Sequence, residues 1–151
     1  MQKKIIAVIG AGRADKELLA LAEEVGRLIA LKGAILVCGG LGGVMEAAAR
    51  GANTEGGLTI GILPGLEKSA ANPYIKVPLA TGLGEIRNAV IVRCADVLIA
   101  IGGEYGTLSE IAFGLKTGKT IIGIGTWDIK GIIRARGAED AVNRALGLQK
   151  K

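Results

Sequence analysis

The chain has 151 residues, half of them apolar, with 19 lysines and arginines against 14 acidic residues and a net charge of +5. That length suits one domain with a buried core, and no apolar run approaches the roughly 18–20 residues that cross a bilayer. There is no histidine, which removes imidazole metal ligands, Ser-His and Cys-His pairs and the commonest general base.

In chain order, KIIAVIGAG (residues 4–12) reads as a first strand closed by glycines. Its apolar run is short, which fits a strand better than a signal peptide. Residues 15–33 put Leu18, Leu21, Ala22, Val25, Leu28 and Ile29 on one helical face. Asp15 is the expected N-cap and Gly33 the stop. AILVCGG is a second strand, and GVMEAAARGANTEGG a short alanine-rich helix. LTIGILPG is a third strand, closed by Pro64 and Gly65. LEKSAANPY is the least regular stretch, with a turn signal at Asn72-Pro73. IKVPLA predicts a short strand near an edge, because Pro78 has no N–H to give a ladder. There follow a helix (LGEIRNAVIVRCA), a strand (DVLIAIGG), a helix (TLSEIAFGLKTG), a strand (KTIIGIG) and a last short helix (AEDAVNRALG). No repeat, low-complexity segment or linker interrupts the series.

Alternating strands and helices imply right-handed crossovers. The continuous apolar strands VLIAI and TIIGI imply burial on both sides. The expected fold is α/β: a single Rossmann-like three-layer domain over residues 1–151, with a mostly parallel sheet and helices on both faces. In such sheets ligands bind beyond the C-terminal strand ends, where the strand order switches. The glycines cluster there: Gly10 and Gly12; Gly39, Gly40, Gly42 and Gly43; Gly61 and Gly65; Gly102, Gly103 and Gly106.

GAGRAD departs from the dinucleotide pattern G-x-G-x-x-G, since Asp15 stands in the third glycine's place. It reads equally as a tight turn or a nucleotide contact. GGLGGVMEAAARGA presents amides at a helix N-terminus, where an anion is favoured; its glycines also serve close helix–strand packing. In GGEYGTLSE, Thr107 and Glu110 have capping-box spacing. A cap does not require Gly102, Gly103 and Gly106 as well, and their amides suit an anion. Arg87, in GLGEIRN, is expected at the same rim, where a guanidinium holds phosphate or carboxylate bidentately. The separation of Cys38 and Cys94 fits no zinc motif, and both are expected to be small buried hydrophobes in a reducing cytosol. No metal site is expected. The basic residues are scattered, with mild enrichment at Lys130, Arg134, Arg136, Arg144, Lys150 and Lys151. Phe113, Trp127, Tyr74 and Tyr105 are too few to make a base-stacking platform, so nucleic acid is not an expected partner.

The segments GGLGGVMEAAARGA and GLGEIRN…VRCADVLIAIGGEYGTLSEI, with the strand–helix order, resemble the SLOG superfamily of Rossmann-like proteins. That superfamily includes the Lonely Guy phosphoribohydrolases (once called lysine decarboxylases), the molybdenum cofactor carrier proteins and the DNA-processing protein A fold. The resemblance covers nearly the whole chain. Its signature P-G-G-x-G-T-x-x-E falls on Gly102 through Glu110. In the hydrolases the motif arginine and the last glutamate carry cleavage of the N-glycosidic bond of a nucleoside 5′-monophosphate. The resemblance maps these roles onto Arg87 and Glu110. Here Gly102 stands for the signature proline, Glu104 for its second glycine, and Asn88 for the lysine after the arginine. The wording is closer to the carriers, which implies binding of a phosphate-bearing pterin without necessary chemistry. The hydrolase, acting on a cytokinin riboside monophosphate-like substrate, stays the alternative. The expected ligand-binding residues are Gly10, Gly12, Gly39, Gly40, Gly42, Gly43, Met45, Arg87, Asn88, Gly102, Gly103, Glu104, Tyr105, Gly106 and Thr107. No cofactor is required on this reading; the molybdenum cofactor or a nucleotide is the expected bound ligand. The short apolar runs fit a cytoplasmic setting, and the resemblance further implies a homo-oligomer, dimer or tetramer.

Overall fold

The computed structural model describes residues 2–148. The elements are β1 (Ile5–Gly10), α1 (Lys16–Leu31), β2 (Ile35–Cys38), α2 (Val44–Thr54), β3 (Thr59–Leu63), β4 (Val77–Ala80), α3 (Arg87–Cys94), β5 (Val97–Ile101), α4 (Tyr105–Lys116), β6 (Thr120–Ile124), β7 (Ile133–Arg134) and α5 (Ala138–Ala145). Single 3-10 turns at Lys68–Ala70 and Gly84–Ile86 precede β4 and α3.

The strands form one seven-stranded sheet in the order β4-β3-β2-β1-β5-β6-β7, and every pair is parallel. Successive strand residues point to opposite faces, and the sequence gives both faces an apolar set. Ile6, Val8, Ile99 and Ile101 pack with Val25 and Ile29 of α1, Ala48 of α2 and Val142 of α5. Ala7, Ile9, Leu98 and Ala100 pack with Ile91 and Val92 of α3 and Ile111 of α4. The result is the expected Rossmann-like three-layer α/β fold. Removing a side chain such as Leu98 or Ile99 from water contributes roughly 1.5–3 kcal/mol.

β4 lies at the edge, as Pro78 requires, with Pro78 opposite Gly61 of β3. β7 went unread because two residues, both exposed, carry no period. Asp15 caps α1 as expected, its carboxylate accepting from the Leu18 amide at 2.9 Å. Cys38 is buried, but Cys94 is exposed. The buried-hydrophobe expectation fails at Cys94 because Ile91, Val92 and Ala95 carry the inward side of this segment. Lys150 and Lys151 lie outside the described residues. Among the described residues, no helix is long and apolar enough to cross a membrane.

Candidate functional site

The chain runs outward from β1 through β2 and β3 to β4, then returns to lay β5 on β1's other side. The two diverging crossovers leave a crevice at the C-terminal end of β1. A cleft of about 470 Å³ opens there. Its walls come from five places: the end of β1 with Gly10, Gly12 and Arg13; Gly39 after β2; Met45 of α2; Arg87, Asn88 and Ile91 of α3; and Glu104, Gly106, Thr107 and Glu110 around the start of α4. Ile9 and Ile91 supply apolar wall between the polar groups.

Arg87 is the first residue of α3 and only 8% exposed. Its Nη1 donates to Asn88 Oδ1. Its Nη2 donates to the Gly39 carbonyl at 3.4 Å. Nε is buried and has no partner. Gly39 permits this placement: a Cβ there would lie 2.8 Å from Arg87 Nη2 and 2.6 Å from Met45 Sδ.

The capping-box expectation for Thr107 and Glu110 is corrected. α4 begins at Tyr105, two residues before Thr107, and Glu104 is its N-cap with no side-chain cap bond. The chain turns as soon as β5 ends, through Gly102 at φ +57° and Gly103 at φ +110°. Gly103 then folds against Thr107, so closely that a Cβ would sit 2.5 Å from the Thr107 side chain. Both capping-box residues therefore lie inside the helix, Thr107 at 3% and Glu110 at 8% exposure.

Burial pushes the Glu110 carboxyl up to about 8, against the opposing pull of the Arg87 charge. Near neutral pH Glu110 is thus mostly protonated and leaves Arg87 largely unneutralised. Burial draws the Arg87 guanidinium below its ordinary value, while Glu110 acts in the other direction. A guanidinium nevertheless remains charged in a protein. Burial raises the Cys38 thiol to about 11, so it is no nucleophile. Among the described residues no cluster of His, Cys, Asp or Glu is arranged to hold a metal ion.

The structure thus brings Gly10, Gly12, Gly39, Met45, Arg87, Asn88, Glu104, Gly106, Thr107 and Glu110 to one cleft. The other expected binding residues stand behind or beside it. Gly40 packs on Leu63, and Gly102 meets Leu18 of α1 across the sheet. Gly43 lies against Ala11 and Gly12, and Gly42 is near the Gly12 carbonyl. Tyr105 is exposed and stacks on Trp127, ring centroids 6.1 Å apart. Arg13 was missed. It sits in the GAGRAD turn and is exposed, and an exposed arginine in a turn carries no periodic signal.

The family model described as the SLOG cluster4 family matches residues 3–149. An uncharacterized protein of Archaeoglobus fulgidus is 52% identical over 116 residues, 77% of this chain and 76% of that protein. Among solved structures, the molybdenum cofactor binding protein of the phototrophic bacterium Rippkaea orientalis is 37% identical with a TM-score of 0.93, covering 98% of each chain. The Moco carrier protein of Chlamydomonas reinhardtii is 34% identical with a TM-score of 0.88, covering 97% of this chain and 98% of that one.

Proposed function

The chain belongs to the SLOG cluster4 family, and from that premise we propose that it is a cytoplasmic binding protein for a phosphate-bearing, nucleotide-like ligand, with the molybdenum cofactor as its cargo. The observation that carries this reading is Arg87: a buried guanidinium with an unpartnered Nε, facing a cleft whose neighbouring carboxyl is mostly neutral near pH 7. A buried cation with no counter-charge in contact and one donor unmet is costly, and a ligand anion reaching the guanidinium lowers that cost. The free amides at the start of α4 add to the attraction. The size of the cleft suits a small organic ligand, and the likeness to proteins named for molybdenum cofactor binding and carriage supports the same cargo.

One observation favours a second reading. Arg87 and Glu110 line the same cleft, and a carboxyl near 8 is poised as a general acid. Hydrolysis of a nucleoside 5′-monophosphate would use these two groups. Two measurements separate the readings. Released molybdenum cofactor is mixed with the protein, desalted, and the protein fraction assayed for molybdenum and oxidised pterin. We expect retention by the wild type and a loss of affinity of roughly 30–100-fold in Arg87→Ala, the scale of lost charge-assisted hydrogen bonds. A panel of nucleoside monophosphates is then followed for free base. Accumulating base would replace the carrier with the hydrolase, and failure to retain pterin would remove the cargo assignment.

We further propose self-association, as dimer or tetramer, around the start of α3. Leu66 and Ile86 are 82% and 73% exposed there, and Leu66 lies over Gly82. Light scattering that finds a monomer at micromolar concentration would end this proposal.

A further inference from the structure

Arg87 and Glu110 are opposite charges set in one cleft wall without touching. Both are over nine-tenths buried and both line the cleft. They come from different elements, Arg87 from the start of α3 and Glu110 from the second turn of α4. Among the described residues no ion pair joins them, and Glu110 feels the arginine only through space. The guanidinium gives Nη1 to Asn88 Oδ1 and Nη2 to the Gly39 carbonyl. Both acceptors are neutral, so its charge has no contacting answer.

Glu110 accepts no hydrogen bond either. Among the described residues, Arg87 Nε is the one fully enclosed side-chain polar atom without a partner. The unpartnered Glu110 oxygens therefore keep an open side, and it faces the cleft. A carboxyl so placed resists ionisation, because burial strips its charged form of water and no donor replaces it. It is pushed up to about 8. The other ionisable groups around it come from every neighbouring element. Cys38, at the end of β2, is fully buried, and its thiol stands at about 11. Arg13 after β1, Glu85 before α3 and Glu104 at the start of α4 are all exposed, where water and salt screen them.

Arg87 thus has two alternative counter-charges, the Glu110 carboxylate from within the wall and an anionic ligand from the cleft. In a poorly solvated site the two negative charges repel each other and cannot share it cheaply. We propose that anion binding in this cleft is coupled to a proton on Glu110: the neutral carboxyl leaves the field of Arg87 to the ligand, and the ionised carboxylate replaces the ligand as internal counter-ion. Rising pH then releases the ligand. Conversely, binding at alkaline pH takes one proton from solvent, which ends on the Glu110 carboxylate. This inference rests on reading the cleft as an anion site and adds what controls its occupancy.

The test is calorimetric titration of the full chain with AMP at about pH 7 and pH 9, at one near-physiological salt concentration. The phosphate of AMP is already doubly charged over this range, so a change in affinity belongs to the protein. We expect wild-type affinity to fall by about five- to tenfold between the two, the loss that one group ionising midway imposes. Glu110→Gln keeps the shape but cannot ionise, and its affinity should change by less than about twofold. A second measurement needs no variant. At the higher pH the wild-type binding enthalpy, read in two buffers of different ionisation heat, should report uptake of roughly half a proton or more per AMP. Wild-type affinity that holds steady, a fall that Glu110→Gln shares, or equal enthalpies in the two buffers would each overturn the proton coupling and leave the anion site standing. Binding of AMP at neither pH would take down both the coupling and the anion reading beneath it.

Discussion

Helices α1 and α4 both start at the C-terminal edge of the sheet, shortly after a glycine turn, and they finish their first turns in opposite ways. At α1, Asp15 accepts from the Leu18 amide at 2.9 Å, and the end is closed by the chain's own side chain. At α4, Glu104 makes no such bond, and the two residues spaced to act as a cap are buried inside the helix. An end closed from within has satisfied its donors. An end left open toward a cleft, beside a buried and incompletely paired arginine, has donors to offer a ligand. The contrast separates a glycine turn whose helix end is closed by a side chain from one whose helix end stays open beside a cleft.

Glu110 gives the largest expected effect. Its ordinary value near 4.5 is raised to about 8 in the folded protein. Between those values the native state holds a proton that the unfolded chain has released, so stability falls as pH rises through that window. Glu110→Gln should remove the slope, leave stability at pH 4 unchanged, and raise it at pH 9 by on the order of 3 kcal/mol. Urea denaturation across pH measures this. A pH slope that survives Glu110→Gln would mean that another group carries it. Next in size is Asp15→Ala. It should cost about 1 kcal/mol and leave anion affinity alone; an affinity change would show that α1 belongs to the site. The smallest effect is at Gly106, where no atom lies within 4 Å of an added Cβ. Gly106→Ala should raise stability by up to about 0.5 kcal/mol through helix propensity, yet weaken anion binding, because Gly106 lines the cleft. Thermal melts paired with phosphate titration would check it, and unchanged binding would place the anion elsewhere.

The layered fold was legible because its evidence is repetitive. Apolar runs such as VLIAI and the helical stripe from Leu18 to Ile29 state their partners many times over. The cleft was legible in part, since glycine turns mark strand ends and α/β topology puts those ends together. Errors arose where one residue's meaning depends on a boundary. Thr107 and Glu110 read as a cap only if the helix starts at Leu108. The positive φ of Gly102 and Gly103 starts it at Tyr105, a backbone choice that residue types alone permit without requiring. Arg13 went unread because an exposed arginine in a turn has no period and no fixed spacing. Cys94 was misjudged because composition makes cysteine an inside residue, whereas the rotation of α3 decides where it points.

The stacked pair beside the cleft has an optical consequence. Trp127 is the chain's single tryptophan. Its ring lies over Tyr105, the first residue of α4, and its indole N–H donates to the carbonyl of Glu104, a residue of the cleft wall. Indole emission responds to local polarity and to the geometry of its neighbours. The molecule thus carries one native fluorophore fastened to the rim of its candidate site, with no other tryptophan contributing background. Any ligand that shifts the Glu104–Tyr105 backbone alters that signal, so occupancy can be followed in the unmodified protein without a label.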